Sequence, residues 1–144
     1  MIIDLDERRG IDAIVALDDR GILVAAMAAQ RLGLPCNHPD AVARTRDKEA
    51  MRDALGIFEM PQPRYAAFDE PDEVVGLIER IGGFPCVVKP VGLSASQGVI
   101  RADDAASALA AATRAQKISG GGRLLVEQYI AGTEVAVEGL LRSG

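Results

Sequence analysis

The residues best suited to chemistry begin with Lys89. It closes the short apolar run Phe84-Pro85-Cys86-Val87-Val88 and is followed at once by Pro90, which has no backbone donor and tends to end a ladder. A loop of small residues follows, with Gly92, Ser94, Ser96 and Gly98, before a second apolar pair, Val99-Ile100. Strand, cation, small-residue loop, strand is an arrangement that sets a fixed positive charge beside N–H and hydroxyl donors, as a polyphosphate requires. A β-hairpin with a surface loop and a solvated lysine fits the same letters, and this stretch alone favours neither. Lys48 lies in the first turn of an expected helix, where its charge opposes the helix dipole. A nearby anion explains that placement, and so does simple solvation.

The elements that must hold these groups can be read from periodicity and punctuation. Ile11 to Leu17 reads as a buried strand, Asp19 as the cap of a helix from about Arg20 to Leu32, and Leu34-Pro35-Cys36 as an extended return. That makes a βαβ unit whose Asp18-Asp19 pair either caps the helix, the favoured reading, or lines a crevice at a strand's carboxyl end. Pro39 marks a short helix over Asn37 to Arg44, and Thr45 is the expected cap of the next one, which ends at Gly56. Met60-Pro61-Gln62-Pro63 forbids helix and reads as a linker to a strand over Arg64 to Phe68.

Asp69-Glu70-Pro71 opens a helix with the apolar stripe Val74, Val75, Leu77, Ile78 and Ile81, stopped by Gly82-Gly83. Asp103-Asp104 caps an Ala-rich helix to about Lys117, followed by the turn Ser119 to Gly122. That turn lacks the sequence context of a P-loop. Leu124 to Val126 is a strand running into Glu127-Gln128-Tyr129-Ile130. Thr133 to Leu141 alternates, with Val135 and Val137 on one face and Glu134, Ala136 and Glu138 on the other, as in a strand that is half-exposed or lines a polar cleft.

Composition narrows the class. The 144 residues are 49% hydrophobic but only 3% aromatic, so the core must be aliphatic, which suits layered helices and strands. A net charge of −5, with no basic stripe interleaved with aromatics, argues against nucleic acid or an anionic membrane surface as partner. The two cysteines, Cys36 and Cys86, read as small buried hydrophobes in a reducing compartment, and one histidine cannot complete a usual zinc site. The charged stretch Met1 to Gly10 is no secretory signal, and the longest apolar run, Ile22 to Ala29, falls short of the ~18–20 residues of a membrane span. A cytoplasmic protein is expected.

Arg46-Asp47-Lys48, the Phe84 to Pro90 run with its small-residue loop, and Val126-Glu127-Gln128-Tyr129-Ile130-Ala131-Gly132-Thr133-Glu134-Val135-Ala136-Val137-Glu138 together resemble the ATP-grasp superfamily. The likeness is to its carboxylate-activating ligases, the group that includes biotin carboxylase and carbamoyl phosphate synthase. It implies an α/β to α+β fold: residues 1–46 as the end of a Rossmann-like domain that precedes the grasp, and residues 47–144 as the first, ATP-binding part of the grasp. The second lobe would be truncated.

The resemblance also implies site roles. Lys48 and Lys89 would contact ATP phosphates, and the loop from Gly92 to Gly98, with Ser94 and Ser96, would close over them. Glu127, Gln128, Tyr129 and Ile130 would form the hinge that receives adenine, and Glu134 would accept from ribose hydroxyls. Asp18 and Asp19 would sit near a substrate crevice, and Glu138 receives no role. Magnesium would be held by residues after Gly144, so no catalytic or metal residue is assigned to this chain.

The implied parent is a carbon–nitrogen bond-forming ligase that activates a small-molecule carboxylate as an acyl phosphate for attack by an amine or other nucleophile. The alternatives are a truncated, non-catalytic module that binds nucleotide or a partner chain, and a small α/β interaction domain. The strand edge after Leu141 is left open to pairing with a second copy.

Overall fold

Alternation along Cys86–Pro90 decides the layering, because Cys86, Val88 and Pro90 are buried while Val87 and Lys89 are half-buried. The computed structural model describes residues 10–137 and residue 139. In it this segment is β2 of a four-stranded antiparallel sheet. The other strands are β1 (Tyr65–Phe68), β3 (Ile100–Ala102) and β4 (Leu124–Gln128), in the spatial order β1-β4-β2-β3. The register sets Lys89 opposite Leu125 and Val87 opposite Glu127, while Glu127 also faces Tyr65 across β1.

One sheet face carries the apolar core. Phe68, Cys86, Val88, Ala102, Leu124 and Val126 meet the helices Val74–Ile81 and Ala105–Ser119. These helices are α4 and α5 in a series that begins with α1 (Ile22–Arg31), α2 (Pro39–Thr45) and α3 (Lys48–Ile57). The stripe of α4 buries Val74, Ile78 and Ile81, and Gly82, at φ +101°, ends it in the left-handed region. Its first turn, Pro71–Glu73, is a 3₁₀ turn, and Val75 faces water. Helix α5 buries Ala108, Ala111, Ala112 and Ala115, so its small face lets the backbone sit close to the strands. Its start is a capping box, in which Asp104 accepts from the Ser107 N–H at 2.7 Å and Ser107 Oγ accepts from the Asp104 N–H at 3.1 Å.

The opposite face is met differently. Helix α3 has no buried residue and reaches the sheet through polar links. Arg52 donates to Glu127 of β4, the Tyr65 hydroxyl of β1 donates to Asp53, and Arg123, just before β4, grips Glu49 through Nε at 2.6 Å. The Gln62 side-chain amide donates to the Arg52 carbonyl at 2.9 Å, which fastens the Pro61–Pro63 linker to the same helix. Helix α1 packs on α2, and α2 on α3.

Several expectations are corrected. Ile11 to Leu17 forms no strand, and Val15 and Leu17 are 79% and 99% exposed. A strand needs a neighbour to complete its ladder, and none of the described strands lies beside this segment. Leu34-Pro35-Cys36 is not a strand either, so the βαβ unit expected before Asn37 is not formed among the described residues. The described part of Thr133 to Leu141 forms no strand either, with Val135 and Val137 75% and 91% exposed; Glu138 and the stretch from Leu140 onward lie outside the described residues, as does most of Met1 to Gly10.

Caps shift by one or two positions. Asp18, rather than Asp19, accepts from the Gly21 N–H ahead of α1, at 2.7 Å. Asp47, rather than Thr45, caps α3 by accepting from the Ala50 N–H at 2.8 Å, while the Thr45 hydroxyl turns back to the Val42 carbonyl. Cys36 is exposed in the α1–α2 connection, whereas Cys86 is buried as expected. No helix among the described residues is long and apolar enough to cross a membrane.

Leu124 lies wholly within the core beneath α4 and α5. Replacing Leu124 with Ala is expected to cost about 2–5 kcal/mol in urea unfolding, the range for a large-to-small change at a site that cannot collapse.

Candidate nucleotide site

Two cavities adjoin at Lys89 and Val99. The first, of about 340 Å³, is lined by Lys48, Lys89 and the loop residues Gly92, Ser94 and Ser96. The second, of about 530 Å³, is lined by Arg52, Lys89, Glu127 and the backbone run from Gln128 through Glu134. Each is within the size range of small-molecule sites. The fold thus brings the expected residues to one continuous surface, with Gly98 the exception.

Gly98 acts in packing. Its φ is +71°, and a Cβ there would stand 2.9 Å from the Pro90 ring carbons, so the loop turns tightly against the end of β2. Ala95 and Ser96 also hold positive φ, at 53° and 57°. The Gln97 N–H donates to the Ser94 carbonyl at 3.2 Å and the Val99 N–H to that of Ser96 at 3.3 Å. Two loop donors are therefore engaged within the loop itself, while Ser94 and Ser96 face the first cavity. Asp19 and Arg46 also line the first cavity, and with Asp18, Arg20 and Gly92 they line a neighbouring one beside the same loop.

The charges form a connected set. Glu127 is 7% exposed and is shared: Oε1 accepts from Lys89 Nζ, while Oε2 accepts from Arg52 Nη2 at 3.0 Å and Nε at 3.2 Å. Lys48 Nζ donates to the Val91 carbonyl at 3.3 Å and to that of Leu93, so it ties the start of α3 to the start of the loop. Burial lowers the pKa of Lys48 below the ordinary lysine value, and the positive charge of Lys89 lowers it further; Glu127 and Asp47 oppose this. Two carbonyls thus take two of the three Lys48 donors without neutralising its charge. Two coupled cations beside small-residue loop donors fit a polyphosphate by their chemistry.

At the hinge, the Gln128 N–H is taken by the Arg64 carbonyl at 2.8 Å and the Tyr129 N–H by that of Pro85 at 3.3 Å. Ile130 is the first residue beyond these sheet bonds. The Arg101 guanidinium lies over the Tyr129 ring at 4.4 Å and fixes that side chain against β3. Glu134 borders the second cavity in an exposed position. Among the described residues no group of three or more His, Cys, Asp or Glu side chains converges on a metal position. Arg52 was not singled out by the sequence reading. It follows Lys48 by four residues on one helix, so the two share a face, and that spacing was the available signal.

Comparison with known proteins decides the family. The family model for the phosphoribosylglycinamide synthetase ATP-grasp (A) domain matches residues 46–143. The chain belongs to this ATP-grasp family. It is 34% identical over 113 residues to the phosphoribosylamine–glycine ligase of Allochromatium vinosum, covering 72% of this chain and 26% of that one. It is 38% identical over 96 residues to the formate-dependent phosphoribosylglycinamide formyltransferase of Solidesulfovibrio magneticus, covering 62% and 23%. The chain therefore spans about a quarter of the length of these relatives.

Among solved structures, an L-amino acid ligase from Bacillus licheniformis superposes with a TM-score of 0.67 at 24% identity, over 91% of this chain and 29% of that one. A phosphoribosylglycinamide synthetase from Anaerococcus prevotii does so with 0.62 at 18%, over 91% and 32%. These two likenesses carry the fold.

The lowered pKa of Lys48 has a consequence for stability. Between that value and the ordinary 10.5, the unfolded chain binds more protons at Lys48 than the folded chain, so this contribution to stability rises with pH. Urea unfolding of the unmodified chain and of Lys48→Met across that window should show the unmodified chain gaining on the variant as pH climbs. A constant difference would mean that Lys48 is not perturbed.

Proposed function

We propose that this chain binds MgATP as the nucleotide-holding part of an ATP-dependent ligase. The observation that carries the reading is the pairing of Lys48 and Lys89 at one cavity, electrostatically coupled and walled by Gly92, Ser94 and Ser96. The triphosphate lies along the two ammonium groups, which offset its charge and hold it in line for transfer. Adenine takes the second cavity against the backbone from Gln128 to Ile130, and Glu134 accepts from the ribose. Magnesium, when bound with the nucleotide, would add neutralisation of the polyphosphate charge, and no described residue is assigned to hold it.

In the parent reaction a substrate carboxylate oxygen bonds to the γ-phosphorus as the β–γ bridging bond breaks and ADP leaves. An amine or similar nucleophile then attacks the acyl carbon, loses a proton and expels phosphate. The ligase among its relatives supports this class of chemistry, and the reading extends to small-molecule substrates in a cytoplasmic setting. The contribution of this chain is to bind, orient and screen the nucleotide.

Titration calorimetry with MgATP tests the reading. Lys89→Ala is expected to weaken binding by ~10-fold or more, the loss of a charge-assisted contact to phosphate. Equal affinity in both proteins would remove Lys89 from the phosphate site.

A further inference from the structure

The charge that Lys89 can offer a ligand depends on how much of it Glu127 cancels, and Glu127 is shared with Arg52. Glu127 carries one negative charge between two cations, Lys89 on Oε1 and Arg52 on Oε2. All three side chains are largely shielded, with exposures of 9% for Glu127, 13% for Lys89 and 15% for Arg52. Screening by water is weak at such sites, so the division of that carboxylate matters. Both Arg52 nitrogens converge on the same oxygen, leaving Oε1 to Lys89 alone. The cluster keeps a net positive charge, and Lys89 stands at the seam of the two cavities.

We propose that Arg52 is a positioning residue for Lys89. By holding Oε2 of Glu127, it fixes the carboxylate on β4 and keeps Lys89 only partly neutralised, so the ammonium stays available to an anionic ligand. Without Arg52, Glu127 and Lys89 close into a neutral pair, and a polyphosphate meets one cation fewer plus a carboxylate that faces it. Arg52 is itself anchored for this task, since Gln62 holds its carbonyl and the residue lies one helical turn after Lys48. Lys48 and Lys89 thus meet one ligand from two elements at the first cavity, while Arg52 borders only the adjoining one. The inference rests on the nucleotide reading above, and its test separates the two.

A double-mutant cycle reads the coupling. MgATP affinity is measured for the unmodified chain, Arg52→Met, Glu127→Gln and the double variant, each shown folded by circular dichroism. Arg52→Met is expected to weaken binding by ~10-fold with Glu127 present and by less than ~3-fold in the Glu127→Gln background, a coupling usual for residues in one charge network. Equal losses in both backgrounds would mean that Arg52 touches the nucleotide directly, and no loss in either would make its role structural; each result overturns the proposal.

Arg52→Lys keeps the charge. Because the guanidinium fork spends both donors on one oxygen, it should restore affinity to within ~3-fold. The ligand-free chain supplies a second readout by NMR. Exchange of the Lys89 Nζ protons with water should slow in Arg52→Met, where the carboxylate becomes wholly its own, and unchanged or faster exchange contradicts the sharing. Failure of the unmodified chain to bind MgATP would instead defeat the nucleotide reading, while the exchange measurement still reports whether Arg52 divides Glu127.

Discussion

A buried carboxylate needs a partner, and Glu127 has two from different elements. Stripping a buried carboxylate of its last partner typically costs about 3–5 kcal/mol, because an uncompensated charge is left in a poorly solvated place, and two partners guard Glu127 against that. The constraint couples distant parts of the chain. Arg52 comes from a helix without a buried residue, while Lys89 and Glu127 come from the two central strands of the sheet, β2 and β4. The face carrying the candidate site is thus tied to its helix by charge around the buried Leu125, while the opposite face is assembled by apolar burial.

That division explains why the site can be polar without weakening the fold. Val88 and Val126 face α4 and α5, while their neighbours Lys89 and Glu127 point to the other side, so the period of two along a strand separates stability from chemistry residue by residue. The polar roof adds register. Lys48 fixes the helix start to the loop, Arg52 fixes the next turn to β4, and Arg123 clasps both Glu49 and Asp69, where β1 ends.

Much of this was legible in the letters. Short apolar runs gave β2 and β4, the pair Pro61 and Pro63 gave the linker, and Gly82 and Asp104 gave helix boundaries within a residue or two. The family followed from Arg46-Asp47-Lys48, the Lys89 run and the Glu127 to Glu134 run, whose order no single motif carries. What failed were the segments at either end, because Ile11 to Leu17 and the described part of Thr133 to Leu141 show strand-like patterns without a described neighbour to pair with. Alternation reports which side chains a strand would bury and says nothing of whether a partner strand is there. Arg52 was missed for another reason: a charged residue on a polar helix face looks solvated until the register of β4 brings Glu127 beneath it.

The central claim is that the seam between Lys48, Lys89 and the Gln128–Ile130 backbone holds one nucleotide. A crystal structure of the chain with magnesium and a non-hydrolysable ATP analogue tests it most directly. Phosphate oxygens are expected within hydrogen-bond distance of both Lys48 Nζ and Lys89 Nζ, with adenine against Ile130. An analogue bound elsewhere, or one whose phosphates leave both ammonium groups untouched, would contradict it.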